Sequence, residues 1–441
     1  MNPDTNPETP EREAGALQSE VEHELGLDKV LPKVSRFAVL GIPDYRRYLI
    51  GGIFAAAGAQ MTNFAAGVEL FSRTKDPVYL ALLGLMSALP VISLALPAGT
   101  MADRYDRKRI VLMAEVGAIF FLAMLALCSY WQGPPALFLG IVLCNAICSA
   151  FLGPALGALI TNVVPEEYIP AAVRFGSIRW QLAATIGPVL GGFLMAYLGR
   201  AWPIYYLDSL GRTLFCFFLW PIQPRKQQIS KEKLNWGSVV AGWHFVRSSP
   251  LIISTITLDM VAVLFGGVTA LLPMYQYILH IDAKQLGMLR AAPALGAILM
   301  GITLTILPPF KKAGWTLLAA VTGYGIATVI FGLSKNFAVS LCALFILGAL
   351  DNISVLIRHT LLQILTPDEM RGRVNAVNSV FIGTSNEIGE VESGVAAKLF
   401  GPMAAVVGGG FITIGVVAFV AAFWPQVRRL GSLESAAYKK K

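Results

Sequence analysis

The stretch GTMADRYDRKR, residues 99–109, places four basic and two acidic residues in eleven positions between two long apolar runs. Hydrocarbon does not hold such a cluster, whereas the membrane interface does, and Arg and Lys concentrate on its cytoplasmic side. The segment reads as a tight turn at the cytoplasmic surface. It thereby assigns a side to every other turn of the chain.

The rest of the composition agrees with a membrane setting. Hydrophobic residues make up 55% and charged residues 14% of the 441, the net charge is +8, and the mean hydropathy is +0.63. Soluble domains carry about 25% charged residues, so this chain is an integral membrane protein. A bundle of about twelve helices, each needing about twenty apolar residues and a short turn, consumes the length and leaves no room for a soluble catalytic domain. Apolar runs bounded by Gly, Pro or charge predict helices over 48–72, 78–99, 110–131, 136–163, 171–199, 202–222, 250–279, 285–308, 315–334, 338–364, 374–399 and 403–425.

The termini and the basic residues fit that map. Residues 1–28 hold eight acids against one Arg. With no basic start or apolar core, they read as a solvated tail rather than a signal peptide, which leaves the first helix as the insertion signal. With the N-terminus inside, 24 of the 35 Lys and Arg fall on the cytoplasmic side, six on the other and five within helices. That bias predicts both termini inside. The five cysteines (Cys128, Cys144, Cys148, Cys216 and Cys342) sit in apolar runs without ligand spacing. They read as small buried hydrophobes, with no metal site expected.

The halves repeat. A shift of 202 residues aligns Pro165 with Pro367, Glu167 with Glu369, Gly187 with Gly389, Gly192 with Gly394 and Gly199 with Gly401. A shift of 203 aligns Gly84 with Gly287 and Pro90 with Pro293. Two six-helix halves follow, 46–222 and 250–427, with a juxtamembrane tail at 1–45, a cytoplasmic linker at 223–249 and a basic tail at 428–441. Parallel repeats of this kind place substrate near the midplane, between halves that rock alternately.

The turn at 99–109 resembles the loop between helices 2 and 3 of the major facilitator superfamily, Gly-x-x-x-Asp-Arg-x-Gly-Arg-Arg. Gly99, Asp103, Arg104, Arg107 and Lys108 match, and Asp106 stands in place of the second Gly. In helix 5, ATIGPVLGG with Gly187, Pro188, Gly191 and Gly192 resembles the antiporter motif of drug-exporting facilitators, with Ala183 in place of its first Gly. Together with TPDEMRGRV before helix 11, these motifs resemble the transmembrane secretion effector branch, which includes siderophore exporters and macrolide efflux pumps. The resemblance implies a gating loop in which Asp103 accepts hydrogen bonds at the start of helix 11 and Arg107 seeks a carboxylate, with Glu115 a plausible partner. A second latch would join Arg371 or Arg373 to Glu166 or Glu167. It also implies export rather than uptake. The chain departs from drug/proton antiporters in helix 4, where 136–163 holds no charge and lacks their Arg, so that route of proton coupling is not provided.

Ionisable groups inside a membrane are functional suspects because of what their burial costs. Helix 11 holds Glu387, Glu390 and Glu392, and Glu387 lies thirteen residues from either predicted end, roughly 20 Å from each surface at 1.5 Å per residue. Glu387 and Glu390 share a helix face, as do Asp351 and Arg358 on helix 10. Arg358 is expected to pair with one of those glutamates, leaving another as proton carrier. Asp259 and Glu69 are further coupling candidates, as is Asp208. A central cavity is expected to draw on Gln60, Asn63, Arg179, Trp180, Tyr206 and Arg290. For any single one of these residues, a structural ion pair or a snorkelling end is the plainer alternative.

The expected protein is an all-α, twelve-span monomer of the major facilitator fold in a bacterial inner membrane. Its expected activity is proton-antiport export of a small amphipathic molecule by alternating access. Nothing resembles a phosphate loop, nucleophile elbow or zinc constellation, so no enzyme, cofactor or nucleic-acid partner is expected beyond substrate, protons and membrane lipids. A lysophospholipid flippase, a nutrient symporter and a non-transporting membrane sensor are the alternatives.

Overall fold

The computed structural model describes residues 38–225, 243–307 and 310–431. Most of the acidic tail, the middle of the linker and the end of the basic tail lie outside them. So do the side chains of Asp103, Glu166, Asp368, Glu369, Arg371, Arg373 and Glu387. All regular structure among the described residues is helical. In the first half α1 runs Pro43–Thr74, α2 Val78–Ser93, α3 Ala95–Arg104, α4 Arg107–Tyr130, α5 Pro135–Val163, α6 Ile169–Leu198 and α7 Trp202–Leu219. In the second, α8 runs Pro250–Phe265, α9 Val268–Ile278, α10 Ala283–Ile306, α11 Ala313–Leu333, α12 Phe337–Leu365, α13 Asp368–Phe400, α14 Pro402–Phe423 and α15 Pro425–Arg428.

Nine paths among the described residues are long and apolar enough to cross a bilayer, α8 and α9 counting as one. The α2–α3 pair, α7 and α13 complete twelve crossings, and each falls short for a visible reason, α2 in length and the others in hydropathy. Helix α2 stops at Ser93, four residues before Pro97, and α3 ends in Asp103 and Arg104. Helix α7 carries Asp208 and Arg212 within eighteen residues. Helix α13 starts in a charged segment and holds three further glutamates, Glu387, Glu390 and Glu392. The continuous helices expected over 78–99 and 250–279 are therefore each broken. Leu94 interrupts the first just after the internal Pro90, and Gly266 and Gly267 interrupt the second. Proline removes a ladder donor, and glycine lowers the cost of departing from the helix. Helix α13 also starts six residues earlier than expected, because the 368–373 segment is helical rather than a loop.

Local chemistry sets the other ends. Proline occupies the first turn of α1, α5, α6, α7, α8 and α14, where its missing N–H costs nothing. Asp282 and Gln285 form a reciprocal capping box on α10, and Asn336 caps α12. Asp106, the departure from the facilitator loop, caps α4 by accepting from the Arg109 N–H at 3.1 Å. Its φ of −57° needs no glycine.

Within the first half α1 packs on α6 and α7, and α4 on α5 and α7. Within the second, α10 and α11 pack on α12, and α8 on α13 and α14. The halves meet along two seams, α6–α10 and α2–α13. At the first seam, a Cβ on Gly192 would strike the Ala283 carbonyl and lie 3.1 Å from the Gly287 Cα, while one on Gly287 would strike the Pro188 carbonyl. At the second, a Cβ on Gly394 would lie 2.6 Å from that of Ala81, and one on Gly84 would lie 3.0 Å from that of Glu390. Gly192 and Gly394 are repeat partners, as are Gly84 and Gly287, so the sequence repeat becomes a pair of matching seams. Small residues permit this backbone contact in a membrane, where no hydrophobic effect drives helices together.

Twelve crossings bring both termini to one face. At the opposite face three contacts join the halves. Lys398 Nζ donates to Asp76 at 2.9 Å, Lys75 lies over the Tyr277 ring at 3.8 Å, and Lys284 lies over Phe193 at 4.6 Å. On the seam helices near the termini face, Gly176 and Gly383 meet nothing within 4 Å. Packing between the halves is tightest at the far face.

Candidate functional site

A cavity of about 560 Å³ lies between the halves. The first half lines it with Asn63, Asn145, Trp180, Asp208 and Arg212, and the second with Thr269, Arg290 and Glu390. Its remaining walls are mainly apolar, among them Leu83, Val91, Leu125 and Leu286. An apolar chamber with a few placed polar groups is the usual form of a small-molecule site.

At the first-half wall, Arg212 joins two acids. Its Nη1 donates to Glu115 on α4 at 3.0 Å and its Nε to Asp208, one turn back on α7, at 3.2 Å. All three side chains are at most 8% exposed. Gly58 on α1 leaves the room Asp208 needs, since a Cβ there would lie 2.6 Å from Asp208 Oδ1. Glu115 therefore pairs with Arg212 and not with the gating loop as expected, because it points into the bundle from the buried face of α4. The Asp208–Arg212 spacing inside an apolar run was the readable signal; its partner across the fold was not.

The second half repeats that stoichiometry. Arg358 forms an ion pair with Asp259 across α12 and α8, and its Nε donates to the Ser354 carbonyl at 3.3 Å. Asp351 lies within electrostatic reach of both Asp259 and Arg358. With Tyr324 and Ser354, the two aspartates line a buried pocket of about 10 Å³, roughly the space of one water. Arg358 was expected to pair with a helix 11 glutamate; Asp259 on the adjacent α8 takes that place. Arg290 and Glu390 face the cavity from α10 and α13 and feel each other's charge. Neither makes an ion pair or hydrogen bond among the described residues.

Glu69 belongs to a different environment. It accepts from Ser129 Oγ at 2.8 and 2.9 Å, from Tyr205 at 2.8 Å and from Arg73 at 3.3 Å, and is 6% exposed. A carboxylate so fully satisfied pins α1, α4 and α7 together, which argues against the coupling role expected of it.

The turn at 99–109 also departs from expectation. Arg107 donates to the Ala102 and Ala158 carbonyls at 3.2 and 3.0 Å and to Asn162. Lys108 donates to the Trp220 and Ile222 carbonyls at 2.6 and 2.8 Å. Both bases thus serve the C-terminal ends of α5 and α7, where orphaned carbonyls and the helix dipole attract cations, and among the described residues neither meets a carboxylate. Arg104 is exposed. Of the antiporter-like motif, Gly187 and Gly191 pack on α1, while Pro188 and Gly192 pack on α10.

Three cavity expectations change as well. Gln60 packs its Cβ against Gly187. Arg179 packs against Gly52 with its guanidinium over the Tyr48 ring at 5.4 Å. Tyr206 is 50% exposed on the outer face of α7. Asn145 was missed: it is one of two amides in a charge-free run, and its Oδ1 is buried without a hydrogen-bond partner among the described residues.

Twelve crossings in two repeated halves around a charged cavity define a multi-pass membrane transporter of the major facilitator fold. The chain belongs to the transmembrane secretion effector family, whose model matches residues 34–440. It is 27% identical over 382 residues to the enterobactin exporter EntS of Citrobacter koseri, covering 85% of this chain and 91% of that protein. Against the Escherichia coli enterobactin exporter EntS the identity is 26% over the same coverage. Its fold is similar to that of the nucleoside transporter NupG (TM-score 0.68, 11% identity, 86% of this chain and 98% of that one). It is also similar to a bacterial homologue of the iron transporter ferroportin (TM-score 0.67, 14% identity, 87% and 98%).

Proposed function

We propose that this chain exports a small amphipathic molecule by alternating access, in exchange for protons. The observation that carries the reading is the cavity of about 560 Å³ walled by both halves: a ligand held there touches groups that separate when the halves rock, so its binding is felt by both. The enterobactin exporters among its relatives support export as the direction and a siderophore-like or drug-like size for the cargo.

Coupling is assigned to the second half. Two carboxylates, Asp259 and Asp351, face one guanidinium, Arg358, an arrangement that is neutral only with one proton bound, and neutrality is strongly favoured in a low-dielectric interior. Glu390, at the cavity wall, is the second exchangeable group, and Glu387 one turn away is its neighbour on α13. The basic-residue bias supports cytoplasmic termini; a bacterial inner membrane, a working monomer and residues 223–249 as the link between halves complete the proposal.

Purified protein in liposomes tests the reading: an imposed pH gradient drives flux of at least one of a catechol siderophore, a macrolide or a lysolipid. Asp351→Asn is expected to abolish the gradient dependence while leaving ligand binding within about twofold, a difference of under 1 kcal/mol. Absence of any gradient-driven flux overturns the exporter reading. Transport of the lysolipid alone favours the flippase.

A further inference from the structure

We infer that the Glu115–Arg212–Asp208 group is a further proton-binding site, with the proton held on the Asp208 carboxyl and exchanged through the cargo cavity. The inference goes beyond the exporter reading, which places coupling in the second half, and rests on it only for calling the cavity the cargo's. Two carboxyls meet one guanidinium, at 3.0 and 3.2 Å, and all three side chains are at most 8% exposed. Fully ionised, the group has one negative charge too many in an interior that does not solvate it, and one bound proton brings it to neutrality. No neighbour supplies the balance instead. The titratable groups within electrostatic reach are two thiols, Cys148 on α5 and Cys216 on α7, while α1 presents Gly58 and Thr62. Among the described residues no second base acts on either acid. Arg290, on the same cavity, feels Glu390 and neither of these acids.

Access decides which acid holds the proton. Asp208 and Arg212 line the cavity and Glu115 does not, so a proton arriving from cavity water meets Asp208. Thr62, one turn after Gly58 on α1, lies beside Asp208 and lines the same chamber. It is 7% exposed, and its Oγ1 is buried without a hydrogen-bond partner among the described residues. A hydroxyl both donates and accepts, so Thr62 can accept from a protonated Asp208 and donate to an ionised one, which suits a carboxyl that changes state. The second-half acids differ in this respect. Asp259 and Asp351 line a pocket of their own, apart from the cavity, whereas a proton on Asp208 borders the space the cargo fills.

Dicyclohexylcarbodiimide is an apolar reagent that modifies a protonated carboxyl and spares an ionised one, the acid O–H adding across one C=N bond. With full-length protein in detergent at neutral pH, peptide mass spectrometry should find the adduct on Asp208 and not on Glu115. Glu115→Gln leaves Arg212 a single acid and no proton to hold, so labelling of Asp208 should fall at least about tenfold, the change expected when one like charge no longer opposes ionisation. Asp208→Glu should keep the label at that position. Should Glu115→Gln not fold, the infrared carbonyl stretch of buried carboxylic acids decides, and its area at neutral pH should be smaller in Asp208→Asn than in the native protein. An unlabelled Asp208 in the native protein, labelling undiminished in folded Glu115→Gln, or an infrared band unmoved by Asp208→Asn overturns the inference. Proteoliposome flux separates the two readings. A protein that takes the label in this way yet pumps nothing loses the exporter reading alone, whereas one that pumps under a pH gradient and leaves Asp208 unlabelled loses the inference alone.

Discussion

Arg212 has two carboxylates to itself inside a membrane, and that defines what it does. Removing it leaves Glu115 and Asp208 buried side by side with no counter-charge, so Arg212→Ala is expected to destabilise the protein by about 3–5 kcal/mol, visible as a lowered melting temperature in detergent. Arg212→Lys should recover part of that, since an ammonium keeps the charge but cannot fork to both acids. Glu69 makes the opposite case. Because Ser129, Tyr205 and Arg73 satisfy it, Glu69→Gln should lower the melting temperature yet leave the pH profile of transport unchanged; a shifted profile would restore it as a coupling residue. Sequence alone marks all these residues as costly and stops there. Glu115 and Arg212 are 97 positions apart, and no spacing rule links them.

At the scale of elements, the seams rather than the loops hold the halves together. Gly287 touches Gly192 and Pro188 backbone to backbone, so Gly287→Val forces α6 and α10 apart. The expected cost is about 1–3 kcal/mol, with loss of flux and with less effect on folding of either half by itself. Gly176→Ala, on the same α6 where nothing lies within 4 Å, serves as the matched control and should transport normally. The antiporter-like motif was readable as a close-packing string. That its two pairs of small residues divide between α1 and α10 was not, because helix rotation is set by the neighbours and not by the string. Likewise the bases at 107 and 108 were readable as interfacial, while which carbonyls they reach depends on where α5 and α7 end.

For the whole molecule, the far face is closed by contacts that would have to part in each cycle of the proposed alternating access. The hydrogen bond from Lys398 holds the Asp76 carboxyl below its ordinary 3.8. A depressed carboxyl contributes closure that is present above that ordinary value and is lost as pH falls below the depressed one. Between pH 5 and 8 this contact therefore stays intact, and pH dependence of transport in that window should survive Asp76→Asn. The same variant should raise thiol labelling of a cysteine placed at Asn63, and exchanging the charges (Asp76→Lys with Lys398→Asp) should restore protection. An exposed pair of this kind is worth little, which suits a gate that has to open. If labelling is unchanged in Asp76→Asn, the aromatic contacts of Lys75 and Lys284 carry the closure instead.

The sequence by itself determined the twelve crossings, the repeat and the presence of costly charges in the bilayer, and it set the expectation for the sidedness of the turns. Each of these follows from composition and period along one chain, with the bilayer acting as a uniform solvent. Tertiary structure alone decided which acid meets which base, which face of each helix looks into the cavity, and that the repeated glycines become two matching seams. Those outcomes depend on contacts between segments about one hundred to three hundred residues apart, where a rotation of one helix by a single residue, about 100°, redirects every side chain on it.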